Sequence, residues 1–278
     1  MDGSCLRQAG KDPVSAYYNE NDPKTAAWLR ELIGAGLVAD GEVDERSIAD
    51  VSPGDVRGFV QCHFFAGIGG WSCALRLAGW GDDVPVWTGS CPCQPWSVAN
   101  LWQDGGRGAG DDRHLWPVWF HLIEAERPAV VFGEQVESAI RRGWLDEAFS
   151  SLEGAGYSCA AAVLPARAVG TEHERKRLYW VSDTGSEGRQ RHQPVACLPV
   201  AAAQAYTVDG DVLTRARRAL DGDLSGLLPC DGVSVVMERH ALKGYGNAIV
   251  PEVAAEFIRA YRDVTATSPA TSATLAGL

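Results

Sequence analysis

A cysteine held in a proline-flanked turn is the residue of this chain best suited to nucleophilic chemistry. Gly89 to Ser97 read Gly-Ser-Cys-Pro-Cys-Gln-Pro-Trp-Ser, directly after an apolar run. Proline fixes the local backbone and short neighbours leave a sulfur accessible, and a thiolate so presented can attack an electrophilic carbon. Cys93 is the candidate nucleophile. Further on, Pro128 to Val136 read Pro-Ala-Val-Val-Phe-Gly-Glu-Gln-Val, which places the carboxylate of Glu134 just past an apolar strand, at the sheet edge where ligands bind in open α/β folds. His173-Glu174-Arg175-Lys176-Arg177 precede the strand Leu178 to Val181. Alternate arginines there face one way and can bond a planar acceptor. A surface acid and a solvated charge run are the plain alternatives for these two segments.

The second chemical signal is glycine-rich. Phe65-Ala66-Gly67-Ile68-Gly69-Gly70 follows an apolar run from Phe59 to Phe65 and opens a helix. Glycines after a strand also serve ligand-free turns, so the pattern alone is weak. Its position, between a buried strand and a helix N-terminus, lets backbone approach a cofactor closely.

These residues need a sheet to hold them. Asp22-Pro23 supplies an N-cap and a first-turn proline for a helix to about Ile33, preceded by a short β-like run from Ala16 to Glu20. Trp28, Leu29, Leu32 and Ile33 fall at helical spacing and predict an apolar face. A helix from about Gly69 to Ala78 and a strand from Val84 to Thr88 deliver the cysteine turn. Helices at Leu115 to Glu126 and Leu145 to Glu153 then alternate with strands at Ala129 to Phe132, Tyr157 to Val163 and Leu178 to Ser182. A last helix runs from Pro251 to Arg262. Alternation of this kind predicts an α/β fold, Rossmann-like, with a mostly parallel central sheet flanked by helices. The texture divides the chain into a catalytic portion at 1–183, a short irregular region at 184–235, a segment at 236–265 that completes the catalytic domain, and a disordered tail at 266–278.

Composition narrows the class. With 278 residues and 46% hydrophobic content the chain can bury a sizeable core. It contains no apolar stretch of transmembrane length and no signal-type apolar run at its start, so no membrane partner and a cytoplasmic location are expected. Eight cysteines are scattered rather than densely spaced, which predicts mostly buried free thiols. Cys91 and Cys93 lack the two-residue spacing of a zinc pair, so no metal is expected. The net charge of −11 argues against a surface that attracts nucleic acid everywhere. Local clusters at Arg141-Arg142, Arg175 to Arg177, Arg189 with Arg191, and Arg215 to Arg218 can still line a cleft.

Taken together the motifs resemble the DNA cytosine-5 methyltransferase family, in its compact phage and prophage form, over most of residues 15–183 plus 244–262. Phe65 to Gly70, with Trp71 after it, resembles the cofactor loop, and Pro92-Cys93-Gln94 the nucleophile motif. Asp112-Arg113-His114-Leu115-Trp116 resembles the motif that follows. Glu134-Gln135-Val136 stands where the family has Glu-Asn-Val, Arg175 and Arg177 match its Arg-x-Arg pair, and Gly246-Asn247-Ala248 resembles its closing motif.

The resemblance implies S-adenosylmethionine as cofactor, held by Phe65, Ala66, Gly67, Ile68, Gly69, Gly70, Trp71, Pro92, Leu115, Asn247 and Ala248. It implies duplex DNA as partner, with the target cytosine flipped out of the helix. The Cys93 thiolate would add to C6 so that C5 attacks the methyl group, Glu134 would hold or protonate N3, and Arg175 would bond O2. A role in restriction-modification follows from the same likeness.

The order of motifs departs from the family. Only 23 positions separate Gly70 from Cys93, too few for the ribose and adenine elements that usually lie between. Asn19-Glu20-Asn21-Asp22 resembles the ribose motif and Arg46-Ser47-Ile48-Ala49-Asp50-Val51 the adenine segment. The expectation is a local permutation: ribose strand, helix, adenine strand, glycine-loop strand, helix, cysteine strand, with Glu20 and Asn21 at the ribose and Ser47 and Ile48 at the adenine. A plain helix-capping loop is the alternative for Asn19 to Asp22. His63 replaces the usual aspartate, His173 a glutamine and Gln135 an asparagine. The short region 184–235 leaves target specificity relaxed, supplied by a separate partner, or lost. RNA as substrate, or a non-catalytic relic that still binds nucleic acid or cofactor, are the competing readings.

Overall fold

The computed structural model describes residues 16–92, 114–169, 175–185 and 249–266. Among them, seven strands form one sheet: β1 (Ala16–Asn19), β2 (Gly41–Asp44), β3 (Gln61–Phe64), β4 (Val86–Gly89), β5 (Val130–Val136), β6 (Ser158–Pro165) and β7 (Lys176–Asp183). Their spatial order is β2-β1-β3-β4-β5-β7-β6. Strands β2, β1, β3, β4 and β5 are mutually parallel, and β7 runs antiparallel to both β5 and β6. The mostly parallel α/β architecture expected from the alternating pattern is what the chain adopts.

The strand order sets the segments after β1 and β3 next to each other. β3, which leads into the glycine loop, lies between β1 on one side and β4 on the other. The chain steps outward from β1 to β2, returns over β1 to lay down β3, and then proceeds through β4 to β5. The ends of β1 and β3, distant in sequence, therefore lie side by side in space.

Helices cover both faces. On one, α2 (Pro53–Val56), α4 (Trp116–Glu126), α5 (Ser138–Arg141) and α6 (Trp144–Gly154) pack on Tyr17, Cys62, Phe64, Trp87 and Val131. Trp116, Trp119, Trp144 and Trp180 meet there with ring centroids 5.5–6.5 Å apart. Such aromatic bodies contribute large buried areas. On the other face lie α1 (Pro23–Gly34), α3 (Gly70–Leu77) and α7 (Pro251–Ala266). Ala26, Leu29 and Leu32 form the buried stripe of α1, and Asp22 accepts the N–H groups of Lys24 and Thr25 at its start. Helix α7 locks onto α3: Arg259 donates to the Leu77 carbonyl and Arg262 to that of Ala78, which satisfies carbonyls left open at a helix C-terminus.

Several boundaries differ from expectation. The apolar run at Ala129 to Phe132 predicts a strand that stops before Glu134, yet β5 continues to Val136 because β7 pairs with it along its whole length. Glu134 is thus inside a strand, opposite Tyr179. The adenine segment was expected to be a strand, but Ile48–Asp50 form a 3₁₀ turn and the strand is Gly41–Asp44 before it. Its composition, Gly-Glu-Val-Asp, is polar because β2 is an edge strand with intermediate or exposed residues throughout. Helix α7 runs to Ala266, four residues past Arg262.

Candidate active site

The C-terminal ends of parallel strands share one edge of a sheet, and that edge collects the candidate residues. Glu20 follows β1, the Glu45 to Ile48 loop follows β2, Phe65 to Gly70 follow β3, and Ser90 to Pro92 follow β4. Glu134 lies near the end of β5. Because β7 is antiparallel, its beginning, with Arg175 and Arg177, falls at that same edge.

On the glycine-loop side, the loop is held by its neighbours. Phe65 has φ 51 and Gly67 φ 56. The left-handed region is rare for a bulky side chain and costs it free energy, whereas Gly67 adopts it freely. The carbonyl of Asn19 accepts the N–H of Ala66 at 2.9 Å. Glu20 then uses both oxygens, accepting from Gly67 N–H at 2.8 Å and from Asp22 N–H at 2.9 Å. Glu20 and the glycine loop, distant in sequence, are brought together. The capping alternative is met as well, since Asp22 caps α1 while Glu20 reaches across to the loop. Asn21 is exposed beside them.

At the adenine segment the Asn19 amide donates to the carbonyls of Asp44 and Arg46. Arg46 grips Asp44 through two nitrogens, at 2.7 and 3.1 Å, and this holds the Asp44 carboxyl below the usual range against the cost of its burial. Ser47 caps the 3₁₀ turn by accepting Ala49 N–H. Ile48 is buried in the core with Tyr17 and Val51, so only Ser47 of this pair is partly exposed.

His63, where the family has aspartate, is fully enclosed. Its ring stacks on Tyr18 at 4.8 Å, and Nδ1 lies 2.8 Å from Thr88 Oγ1. Burial drives its pKa down to about 3, so it is neutral at ordinary pH.

On the chemical side, Glu134 is 7% exposed and Arg177 Nε lies 2.8 Å from its Oε1. Burial raises the pKa of Glu134 to about 7, opposed by the charges of Arg177 and Arg175 and by the Ser90 hydroxyl. Burial and the Arg177 charge pull that of Arg175 down. Near neutrality such a carboxyl exists in both protonation states, the condition a general acid or base needs. An open groove of about 490 Å³ beside it is lined by Val136, Glu137, Ser138, Arg175, Lys176 and Arg177. Gln135 donates to the carbonyl of Cys91 at 3.2 Å, tying the start of the cysteine turn to β5. Glu134 thus meets Arg177 directly, while Arg175 lines the groove.

Pro92 ends the described part of the turn and Leu115 begins α4's approach, both partly exposed. Trp71 is 3% exposed and packs on Phe132 and Tyr179. Its indole N–H points to Ser90 Oγ at 3.0 Å, a residue that sequence reasoning passed over because a serine beside cysteines carries no distinctive spacing. Cys93, Asp112, Arg113, His173, Asn247, Ala248 and nearly all of the 184–235 region lie outside the described residues.

With this geometry in place, comparison with known proteins is informative. Residues 81–204 match the C-5 cytosine-specific DNA methylase family. The stretch contains Cys93, Glu134, Arg175 and Arg177, so the resemblance read from the motifs is borne out there. Glu20 and the glycine loop precede it, where the motif order departs from the family. No curated protein matches the sequence at a significant level.

Among solved structures, a Spodoptera frugiperda DNMT2 variant is 13% identical, with 66% of this chain and 55% of that one covered and a TM-score of 0.39. The S. pombe Dnmt2 methyltransferase is 13% identical, covering 71% and 57%, also at 0.39. The Entamoeba histolytica methyltransferase EhMeth is 11% identical, covering 71% and 64%, at 0.36. This chain therefore spans between about half and two thirds of the length of these proteins.

Proposed function

We propose that the protein methylates C5 of cytosine in DNA, with S-adenosylmethionine, the cofactor of this family, as methyl donor. The observation that carries the reading is Glu134: a carboxyl enclosed in the sheet, its pKa raised by burial, paired with Arg177 and one strand away from the turn that leads to Cys93.

The residues present suit the cofactor. Glu20 offers lone pairs at a strand end, where a ribose diol donates. Gly67 has open space within 4 Å of the place a side chain would take, leaving the loop surface free for a ligand. Ser47, Asn21, Trp71 and Leu115 complete the cofactor side, with Asn247 and Ala248 from the closing motif. When bound, S-adenosylmethionine supplies an electrophilic methyl group. The chain's own work is to make C5 nucleophilic.

Cys93 adds as thiolate to C6 of a cytosine rotated out of the duplex. Protonated Glu134 donates to N3 as electron density moves into the ring, and Arg175 bonds O2. Arg177 holds the carboxylate of Glu134 in place. After transfer, loss of the C5 proton allows Cys93 to leave.

The test uses labelled S-adenosylmethionine and duplex DNA containing 5-fluorocytosine. A denaturation-stable adduct is expected with the wild-type protein and none with Cys93→Ala. A folded protein that gives neither adduct nor methyl transfer on DNA overturns the proposal, and transfer to folded RNA in a parallel reaction would redirect the substrate.

A further inference from the structure

We propose that Ser90 is a positioning residue that orients Glu134 by donating its one hydroxyl proton to that carboxyl while Trp71 occupies its acceptor side. The inference rests on the proposed function for its catalytic meaning, but its geometry stands apart. Gly89 pairs with Gly133 in the parallel register of β4 and β5, so the next residues, Ser90 and Glu134, emerge side by side. Trp71 Nε1 lies 3.0 Å from Ser90 Oγ. An indole N–H can only donate, and a serine hydroxyl carries a single proton. With Trp71 donating to it, Ser90 must send that proton elsewhere, and the neighbouring acceptor is Glu134. Consistent with this, the Ser90 hydroxyl draws the pKa of Glu134 downward against burial.

The donor is itself held rigidly. Trp71 stacks on Phe132 with centroids 6.2 Å apart and meets Tyr179 edge-on at 6.2 Å, so its N–H has one direction. It is the second residue of α3, immediately after the glycine loop. On this assignment a path runs from the first turn of α3, through the Trp71–Ser90 hydrogen bond, to the carboxyl. The Ser90 hydroxyl and the Arg177 guanidinium, 2.8 Å from Oε1, then hold the carboxyl between them and fix its orientation. Glycine or alanine at position 90 would strand a buried indole N–H, which is costly.

The experiment titrates Glu134 in the full chain by carbon NMR with side-chain-carboxyl-labelled glutamate, the signal assigned by its loss in Glu134→Gln. The wild-type midpoint is expected near 7. Ser90→Ala should raise it by about one pH unit, as expected for loss of a hydrogen bond to a charged group, and Ser90→Thr should restore it. Trp71→Phe should raise it by less, and should add nothing in the Ser90→Ala background. A folded Ser90→Ala protein with an unmoved midpoint overturns the proposal, as does full additivity of the two substitutions. Should Ser90→Ala fail to fold, Trp71→Phe against Ser90→Thr decides: equal midpoints at the wild-type value overturn it. Absence of methyl transfer alongside the expected shift would count against the proposed reaction and leave the Ser90 assignment standing.

Discussion

The carboxylate of Glu20, one residue past β1, accepts the N–H of Gly67, in the loop after β3, at 2.8 Å. The two strands are parallel neighbours, with Asn19 in register with Phe64, so the contact follows from strand adjacency and not from sequence proximity. A carboxylate at the end of β1 therefore faces the glycine loop whichever of the two strands comes first in the chain.

Replacing Glu20 by alanine should weaken S-adenosylmethionine binding by about 1.5–3 kcal/mol, the worth of a hydrogen bond to a charged group. Isothermal titration calorimetry reads this, with circular dichroism to confirm an intact fold. Unchanged affinity would remove Glu20 from the cofactor site.

Stability should depend on pH through Glu134. Its folded pKa of about 7 lies above the ordinary carboxyl value of 4.5, so the folded state holds the proton more tightly than the unfolded one. The resulting stabilisation is fully present below about pH 4.5 and is lost as pH rises through 7. At 1.36 kcal/mol per pH unit this is about 3 kcal/mol. Relative to wild type, Glu134→Gln should therefore gain stability by about that amount between pH 4.5 and 7.5 in urea titrations. Parallel curves for the two proteins would rule the burial effect out.

Removing the cation should act with the opposite weighting. Arg177→Ala leaves the Glu134 carboxylate with weaker compensation, so its titration moves above 7 and the destabilisation grows with pH. About 3–5 kcal/mol is expected at pH 8, the cost of breaking a buried pair, and much less at pH 5.5, where Glu134 is protonated. Thermal melts at the two pH values check this. An equal loss at both would assign Arg177 a packing role alone.

Gly133 should not tolerate a side chain. A Cβ there would lie 2.1 Å from Trp180 Cε2, inside a tryptophan cluster with nowhere to shift. Overpacking of this kind costs about 1–3 kcal/mol. Gly133→Ala should lower the urea midpoint accordingly, and an unchanged midpoint would show that the indole can move.

Elements set by neighbouring residues were legible in the sequence. The apolar runs of β3, β4 and β5 and the Asp22-Pro23 helix start are each specified by a few neighbouring side chains. Also legible was the absence of two further strands between Gly70 and Cys93, which lie too close in sequence for them. Strand β2 was missed because an edge strand need not be apolar, and Gly-Glu-Val-Asp has no periodicity to betray it.

What tertiary structure alone decided is pairing. Nothing within Pro128 to Val136 says that β7 runs antiparallel along the whole of it, yet that pairing draws Glu134 into the sheet, buries it and sets Arg177 against it. Likewise the Gly89–Gly133 register puts Ser90 beside Glu134, and the position of α3 aims Trp71 at Ser90. Residue types and short spacings are properties of the chain itself, which is why the candidate residues could be named from it. Burial and hydrogen-bond partners belong to contacts between distant segments, and these exist only once the strands have chosen their neighbours.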